Sequence, residues 1–146
     1  MRTVRQILEA KSADRIPAVH AIPPEAPVLD AIRLMAERHV GAVLVMAGPR
    51  LVGILSERDY ARKVVLQGRA SSSTPVADIM TAEVVTTHPD DTSDHCMQVM
   101  TERRIRHLPV VDGGDVVGVV SIGDLVKAVI EDQRAELDHL QRYIAS

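Results

Sequence analysis

The residues best suited to chemistry form a serine–aspartate pair that occurs twice, as Ser56 with Asp59 and as Ser121 with Asp124. Each pair lies where an apolar run gives way to a stretch with helical spacing. A serine followed by an acid three residues later is the pattern of a helix-capping box. The same position offers unpaired backbone N–H groups to a phosphate, and a carboxylate there can accept hydrogen bonds from both hydroxyls of a ribose. Taken alone, the pair favours capping.

The two pairs belong to an internal duplication. Gly53–Asp59 recurs as Gly118–Asp124, and the same offset of 65 residues holds without a gap across Pro24–Leu66 and Pro89–Glu131. Eleven of these 43 positions are identical, whereas ordinary composition gives roughly three matches by chance. We therefore interpret the chain as two copies of one unit, an arrangement to be sought before any other.

Each copy reads as strand, helix, strand, strand, helix, which predicts an α/β fold. In the first copy the elements are a short strand, a helix with an apolar stripe, and two strands joined by a tight turn: Pro17–Ala21; Val28, Ile32 and Met35; Ala42–Met46 and Leu51–Leu55. In the second copy the stripe is Ser93, Met97 and Met100, and the strands are Leu108–Val111 and Val116–Val120. Glycines between the paired strands tolerate positive φ, so each pair is predicted to form a hairpin.

The segments outside the copies set the predicted domain boundaries. Residues 1–67 hold a short helix (Val4–Ala10) and the first copy, 68–75 a polar linker, 76–131 the second copy, which opens with the patch Val76–Met80, and 132–146 a helical extension. Apolar residues continue through this last helix at steps of four and three, the seam spacing of a coiled coil. Val126 and Ile130 are expected to be buried in the second copy. Leu137, Leu140 and Ile144 pack either on the same subunit or in a dimer.

Composition excludes several classes of function. The net charge is −3 and the chain has two Tyr, no Phe and no Trp, so neither a global attraction to polyanions nor an aromatic platform for single-stranded nucleic acid is present. The single Cys96 fits a reducing compartment and is predicted to be a small buried residue. No phosphate loop, nucleophile elbow or zinc-like spacing occurs. We expect a cytoplasmic protein with no catalytic residues and no metal site.

One basic run supports an alternative from another class. Arg103, Arg104 and Arg106 are nearly contiguous at the end of a predicted helix. Cations suit a helix C-terminus, so the run is explained by solvation alone. It could also contact phosphates, and a nucleic-acid-binding protein that uses Arg103–Arg106 is the alternative interpretation.

The repeated Gly-h-h-Ser-x-x-Asp motif (h, apolar) and the strand His-Leu-Pro-Val-Val-Asp at 107–112 resemble a tandem pair of cystathionine-β-synthase (CBS) domains, the Bateman module. The resemblance covers about Ile16 to Ile130. The run from Ser56 to Val65 also resembles small stand-alone bacterial members annotated in signal transduction. With the duplication, the resemblance favours binding over capping alone. It implies two βαββα halves related by a pseudo-two-fold axis, with two clefts for AMP, ATP, NAD or S-adenosylmethionine.

The resemblance also implies roles for individual residues. Asp59 and Asp124 would each hold a ribose, Ser56 and Ser121 would approach the phosphate or ribose, and Ile54 and Val119 would line the base pockets. Each cleft would borrow the first strand of the other half: Ile16–Ala21, with Ile16 and Ala21 at its ends, for Asp124, and Thr81–Thr86, with Thr81 and Val85, for Asp59. His107 would supply the basic position of the second cleft. The first copy has Ala42 there, which leaves its phosphate to Arg58.

The function implied is regulatory sensing of an adenosine nucleotide, of the AMP, ATP or NAD class, without catalysis. The bound state would be passed to a protein target in trans or through oligomerisation, with a homodimer in a flat four-copy disk as the expected assembly. A membrane partner is not expected.

Overall fold

The structure, a computed structural model, describes residues 2–145. Along the chain the elements are α1 Val4–Ala13, β1 Ala21–Ile22, α2 Val28–Arg38, β2 Ala42–Ala47, β3 Arg50–Ser56, α3 Glu57–Tyr60 running into a π-helical turn Ala61–Val65, a 3₁₀ turn Val76–Asp78, α4 Ser93–Arg103, β4 His107–Asp112, β5 Asp115–Ser121 and α5 Ile122–Ala145. The predicted α/β class and both hairpins are confirmed.

The chain divides into two compact units, which are described separately below. The first-copy unit comprises Val19–Val85 together with Gly113–Val117. The second-copy unit comprises the chain up to Ala18, Thr86–Asp112, and the chain from Gly118 onward. Each unit therefore combines most of one copy with the segment that precedes the other copy.

The first-copy unit is built on a three-stranded sheet in the order β1-β2-β3. β1 runs parallel to β2, with Ala21 opposite Leu44, and β3 returns antiparallel through a turn in which Gly48 has a φ of 60°. Helix α2 buries Val28, Ala31 and Met35, whose spacing of three and four residues forms one helical face. This face packs with buried aliphatic residues of the strands: Ile22, Val43, Val45 and Leu55.

The second-copy unit repeats this construction with different residues. Helix α4 begins at Thr92, whose hydroxyl accepts from the His95 N–H at 3.1 Å, and buries Ser93, Cys96 and Met100. It ends at Arg104 in the left-handed conformation (φ 56°), as α2 ends at His39 (φ 55°). The predicted burial of Cys96 is confirmed.

The segment before each copy has its own repeat at a separation of 72 residues. The Val4 N–H donates to the Asp91 carbonyl at 2.9 Å, and the Val76 N–H donates to the equivalent carbonyl, that of Ala26, at 2.8 Å. Val4, Ile7, Val76 and Ile79 are all buried. In each unit an amphipathic turn from outside the copy thus completes the apolar core, which makes it an integral part of the unit.

Two predictions about the elements are wrong. The first strand of the first copy was expected at Pro17–Ala21 but is limited to Ala21–Ile22, because only this stretch forms a parallel ladder with β2. Val126 and Ile130 were expected to be buried, yet they are 45% and 44% exposed. Leu125 and Ala128 are buried instead, since residues three apart share a helix face and α5 presents this face to its unit.

Candidate functional site

The Ser56–Asp59 pair forms a complete capping box at the start of α3. The Asp59 N–H donates to Ser56 Oγ at 3.2 Å, and the Ser56 N–H donates to Asp59 Oδ2 at 3.0 Å. The Ser56 hydroxyl also donates to Asp59 Oδ2, at 3.1 Å. The cap therefore uses one carboxylate oxygen and fixes the orientation of the side chain.

The other oxygen of Asp59 lies among groups from outside the cap. Lys63 Nζ and Thr81 Oγ1 are each 3.4 Å from Asp59 Oδ1, and Lys63 Nζ also donates to the Ile79 carbonyl at 3.1 Å. The carboxylate is 16% exposed. This oxygen is thus the acceptor through which Asp59 can bind a hydroxyl.

Backbone pairing brings Thr81 to this position. Ile54 and Thr81 exchange two hydrogen bonds, Ile54 N–H to Thr81 O at 3.0 Å and Thr81 N–H to Ile54 O at 2.9 Å. Gly53 makes this approach possible, because a Cβ there would lie 2.5 Å from Met80 Sδ and 3.1 Å from Thr81 O. The predicted placement of Thr81 beside the Asp59 motif therefore agrees with the structure.

The Ser121–Asp124 pair forms the same cap at the start of α5. The Ser121 N–H donates to Asp124 Oδ2 at 2.9 Å, and the Asp124 N–H donates to Ser121 Oγ at 3.2 Å. Here a lysine from α1 completes the arrangement: Lys11 Nζ lies 2.9 Å from Asp124 Oδ2 and donates to the Val119 carbonyl at 2.9 Å. Both side chains of this ion pair are 20% exposed.

Helix α1 is held over the second motif by packing and charge. A Cβ at Gly118 would lie 2.7 Å from Leu8 Cδ2, so the glycine allows the close approach of this helix. The Thr3 hydroxyl accepts from the Gln6 N–H at the helix start. Arg2 forms salt bridges with Glu131 and Asp132 of α5 at 2.9 and 3.0 Å. These contacts fix the position from which Lys11 extends.

His107 lies on β4, near the charges of this site. Burial lowers the pKa of its imidazole below the ordinary 6.5; Asp124 opposes this effect, and Lys11 and Arg106 reinforce it. Desolvation disfavours the charged form, so His107 is held neutral near pH 7. A neutral imidazole still offers one donor and one acceptor to a ligand.

The remaining predicted site residues are placed as follows. Val85 is half-buried in the first-copy unit and Arg58 is exposed at the start of α3. Ile16 is 44% exposed in the second-copy unit. Ala21 pairs with Leu44 inside the first-copy sheet, so the prediction that Ile16–Ala21 forms one flanking strand for Asp124 is wrong.

The cause is the different course of the chain after α1. This helix continues to Ala13, and Arg15 then turns the chain with a φ of 60°. The Ile16 N–H donates back to the Lys11 carbonyl at 2.9 Å. Ile16 therefore does not pair with Val119 as Thr81 pairs with Ile54, and Lys11 takes the Val119 carbonyl instead.

Sequence reasoning missed Lys11 and gave Lys63 no role at the carboxylate. The two lysines are not equivalent in the 65-residue repeat, where Lys63 corresponds to Ala128 and Lys11 to Val76. A signal for Lys11 was present in Val4-x-x-Ile7-Leu8 and Val76-x-x-Ile79-Met80. Aligning these runs places α1 on the second copy, with Lys11 within one helical turn of Leu8.

Other candidate chemistry has a structural explanation. Burial raises the pKa of the Cys96 thiol, which disfavours a reactive thiolate. Arg104 supplies the left-handed residue that ends α4, so part of the basic run belongs to a helix cap. Among residues 2–145 no group of three or more His, Cys, Asp or Glu is arranged to hold a metal ion. None of the described helices has the length and apolarity to cross a membrane.

Two solved structures similar to this chain contain adenosine compounds. One is the CBS domain protein PAE2072 from Pyrobaculum aerophilum complexed with AMP, with 25% identity, a TM-score of 0.73, and coverage of 84% of this chain and 89% of that chain. The other is the CBS domain pair of protein MJ0100 in complex with 5′-methylthioadenosine and S-adenosyl-L-methionine, with 25% identity, a TM-score of 0.77, and coverage of 90% and 98%.

Closer similarity extends across most of the chain. A structure of a protein with CBS domains from Burkholderia ambifaria MC40-6 is 53% identical, has a TM-score of 0.85 and covers 90% of this chain and 96% of its own. The mitochondrial CBS domain-containing protein CBSX3 of Arabidopsis thaliana is 48% identical over 80% of this chain, which spans 59% of that relative's length. The CBS domain profile matches residues 4–66 and 76–131. The chain therefore belongs to the CBS domain family, and its two copies are a CBS domain pair.

Proposed function

We propose that this CBS pair is a regulatory sensor that binds an adenosine nucleotide, of the AMP, ATP or NAD class, at Asp59 and at Asp124. The observation that carries the proposal is the repeated site itself. Each copy holds an aspartate rigidly in a helix cap and sets a lysine ammonium beside it, at 3.4 Å from Asp59 and 2.9 Å from Asp124. The AMP, methylthioadenosine and S-adenosylmethionine complexes of similar proteins support this ligand class.

The division of work within each carboxylate explains how a sugar would bind. Oδ2 of Asp59 is committed to Ser56, while Oδ1 faces only the longer contacts to Lys63 and Thr81. Ribose hydroxyls can replace such contacts at little cost, because the side chain is already oriented. A hydrogen bond to a carboxylate contributes about 1.5–3 kcal/mol, so the ribose would supply much of the selectivity for nucleotides.

Binding regulates only if it favours one arrangement of the chain over another. We therefore propose that the ligand changes the population of conformations or of oligomers, and that a protein target responds in trans. The ligand itself is not transformed. The cytoplasmic location expected from the sequence stays a prediction.

Helix α5 supports a homodimer as the assembly through which this occurs. Its exposed apolar residues continue along the helix from the second copy to its end: Val126, Ile130, Leu137, Leu140 and Ile144. An exposed apolar stripe of this length marks an interaction surface. A symmetric pair of such helices would bury the stripe of each against its equivalent.

Thermal unfolding in the presence of candidate ligands tests the proposal. A ligand that binds only the folded state at a concentration of 100 Kd stabilises it by about 2.7 kcal/mol. We expect AMP, ATP or NAD to raise the melting temperature, and the double variant Asp59→Asn, Asp124→Asn to lose this response. If none of these nucleotides, nor methylthioadenosine or S-adenosylmethionine, changes the melting temperature at millimolar concentration, the proposed function is wrong.

A further inference from the structure

Lys11 is a charged side chain that already occupies the ligand positions of the second motif. Its Nζ contacts the Asp124 carboxylate and the Val119 carbonyl, both at 2.9 Å. Under the proposed function Asp124 receives the ribose and Val119 lines the base pocket. The ammonium of Lys11 therefore engages the two groups that an adenosine would use.

We infer that Lys11 makes the Asp124 site selective for adenosine ligands that carry a phosphate. The inference rests on the proposed function and adds the charge of the ligand to it. A ribose that takes over Asp124 deprives Lys11 of its anionic partner. A ligand phosphate provides a replacement anion in the same event, whereas a neutral nucleoside provides none.

Burial gives this exchange its weight. Lys11 and Asp124 are each only 20% exposed, so water compensates only partly for a lost partner. A ligand without phosphate must leave the ammonium with the Val119 carbonyl alone, or displace it from both contacts. Either outcome weakens binding relative to a phosphorylated ligand, because ammonium–phosphate hydrogen bonds are charge-assisted and strong.

The first motif lacks this arrangement. Lys63 approaches Asp59 at the longer distance of 3.4 Å and is 44% exposed. The carbonyl of Ile54 is paired with the Thr81 backbone rather than with a lysine. Solvent can hydrate Lys63 when a ribose binds Asp59, so selectivity for phosphate is a property of the Asp124 site.

Calorimetric titrations with AMP and with adenosine, in an Asp59→Asn background that leaves the Asp124 site as the principal one, test the inference. We expect AMP to bind more tightly than adenosine. Lys11→Met should reduce this preference about tenfold or more, the size of effect expected when one charge-assisted contact is lost. Lys11→Arg keeps the charge and should retain the preference. Lys127→Met is the matched control, since Lys127 lies in the same unit and forms only longer ion pairs, at 3.7 and 4.0 Å.

The outcomes separate this inference from the proposed function. If adenosine binds as tightly as AMP in the Asp59→Asn background, or if Lys11→Met keeps the full preference, the role of Lys11 is refuted while adenosine binding stands. If neither compound binds in that background, ligand binding at Asp124 and the role of Lys11 fail together. Should Lys11→Met not fold, the preference measured with intact Lys11 still decides.

Discussion

Replacing Asp59 by Asn separates its capping role from its proposed binding role. The amide oxygen of Asn can still accept from the Ser56 N–H, which Asp59 Oδ2 accepts at 3.0 Å. The charge is lost, and an NH₂ donor replaces the second acceptor oxygen. Losing the favourable charge in the first helical turn costs about 0.3–1 kcal/mol of stability. Losing a charge-assisted hydrogen bond to ribose costs about 1.5–3 kcal/mol of binding, which is about a ten- to hundredfold loss of affinity at that site.

Calorimetry with AMP and urea unfolding of the same proteins measure the two effects. Asp94→Asn is the matched control, because Asp94 is an exposed acid in the first turn of α4 and belongs to no proposed site. It should show a similar small loss of stability with unchanged affinity for AMP. If Asp59→Asn loses stability but binds AMP as the parent does at both sites, Asp59 is only a cap and the reasoning is refuted.

Three further predictions concern packing, pH and assembly. Gly118→Ala should lower the unfolding free energy by about 1–3 kcal/mol, the usual cost of overpacking, and Leu8→Ala in the same chain should restore part of it in urea unfolding; additive losses would contradict the contact. Because the folded pKa of His107 lies below its ordinary 6.5, the unfolded chain binds more protons between these two values, so stability should fall as the pH drops through 6.5 and level off below the folded pKa. His107→Gln should lose less stability than the parent between about pH 7.5 and about pH 5.5, and equal losses would show that other groups cause the effect. Truncation after Gln133 should halve the mass measured by light scattering, and an unchanged mass would place the dimer contact elsewhere.

The parts of the fold that sequence could predict are governed by local rules. The turns between paired strands contain glycines, and Gly48 and Gly113 indeed adopt positive φ. The Ser-x-x-Asp spacing predicts a capping box because both partners lie within one helical turn. Duplication extended these local signals to the second copy, where Ser121 and Asp124 repeat the geometry of Ser56 and Asp59.

The parts that sequence did not predict depend on contacts between distant segments. The resemblance anticipated exchanged strands, but whether a segment forms a strand or a helix depends on which hydrogen bonds it finds. Thr81 finds the backbone of Ile54, whereas α1 continues as a helix and brings Lys11 to the same relative position. The exposure of Val126 and Ile130 follows from the rotation of α5 about its axis, which the spacing of apolar residues alone does not determine.

The most direct test of the central claim is a calorimetric titration of AMP into the parent protein and into the double variant Asp59→Asn, Asp124→Asn. A capped aspartate in each copy is proposed to hold the ribose, so we predict saturable binding to the parent and at least tenfold weaker binding to the variant. Far-ultraviolet circular dichroism should show that the variant remains folded. Binding of equal affinity in the two proteins would contradict the account.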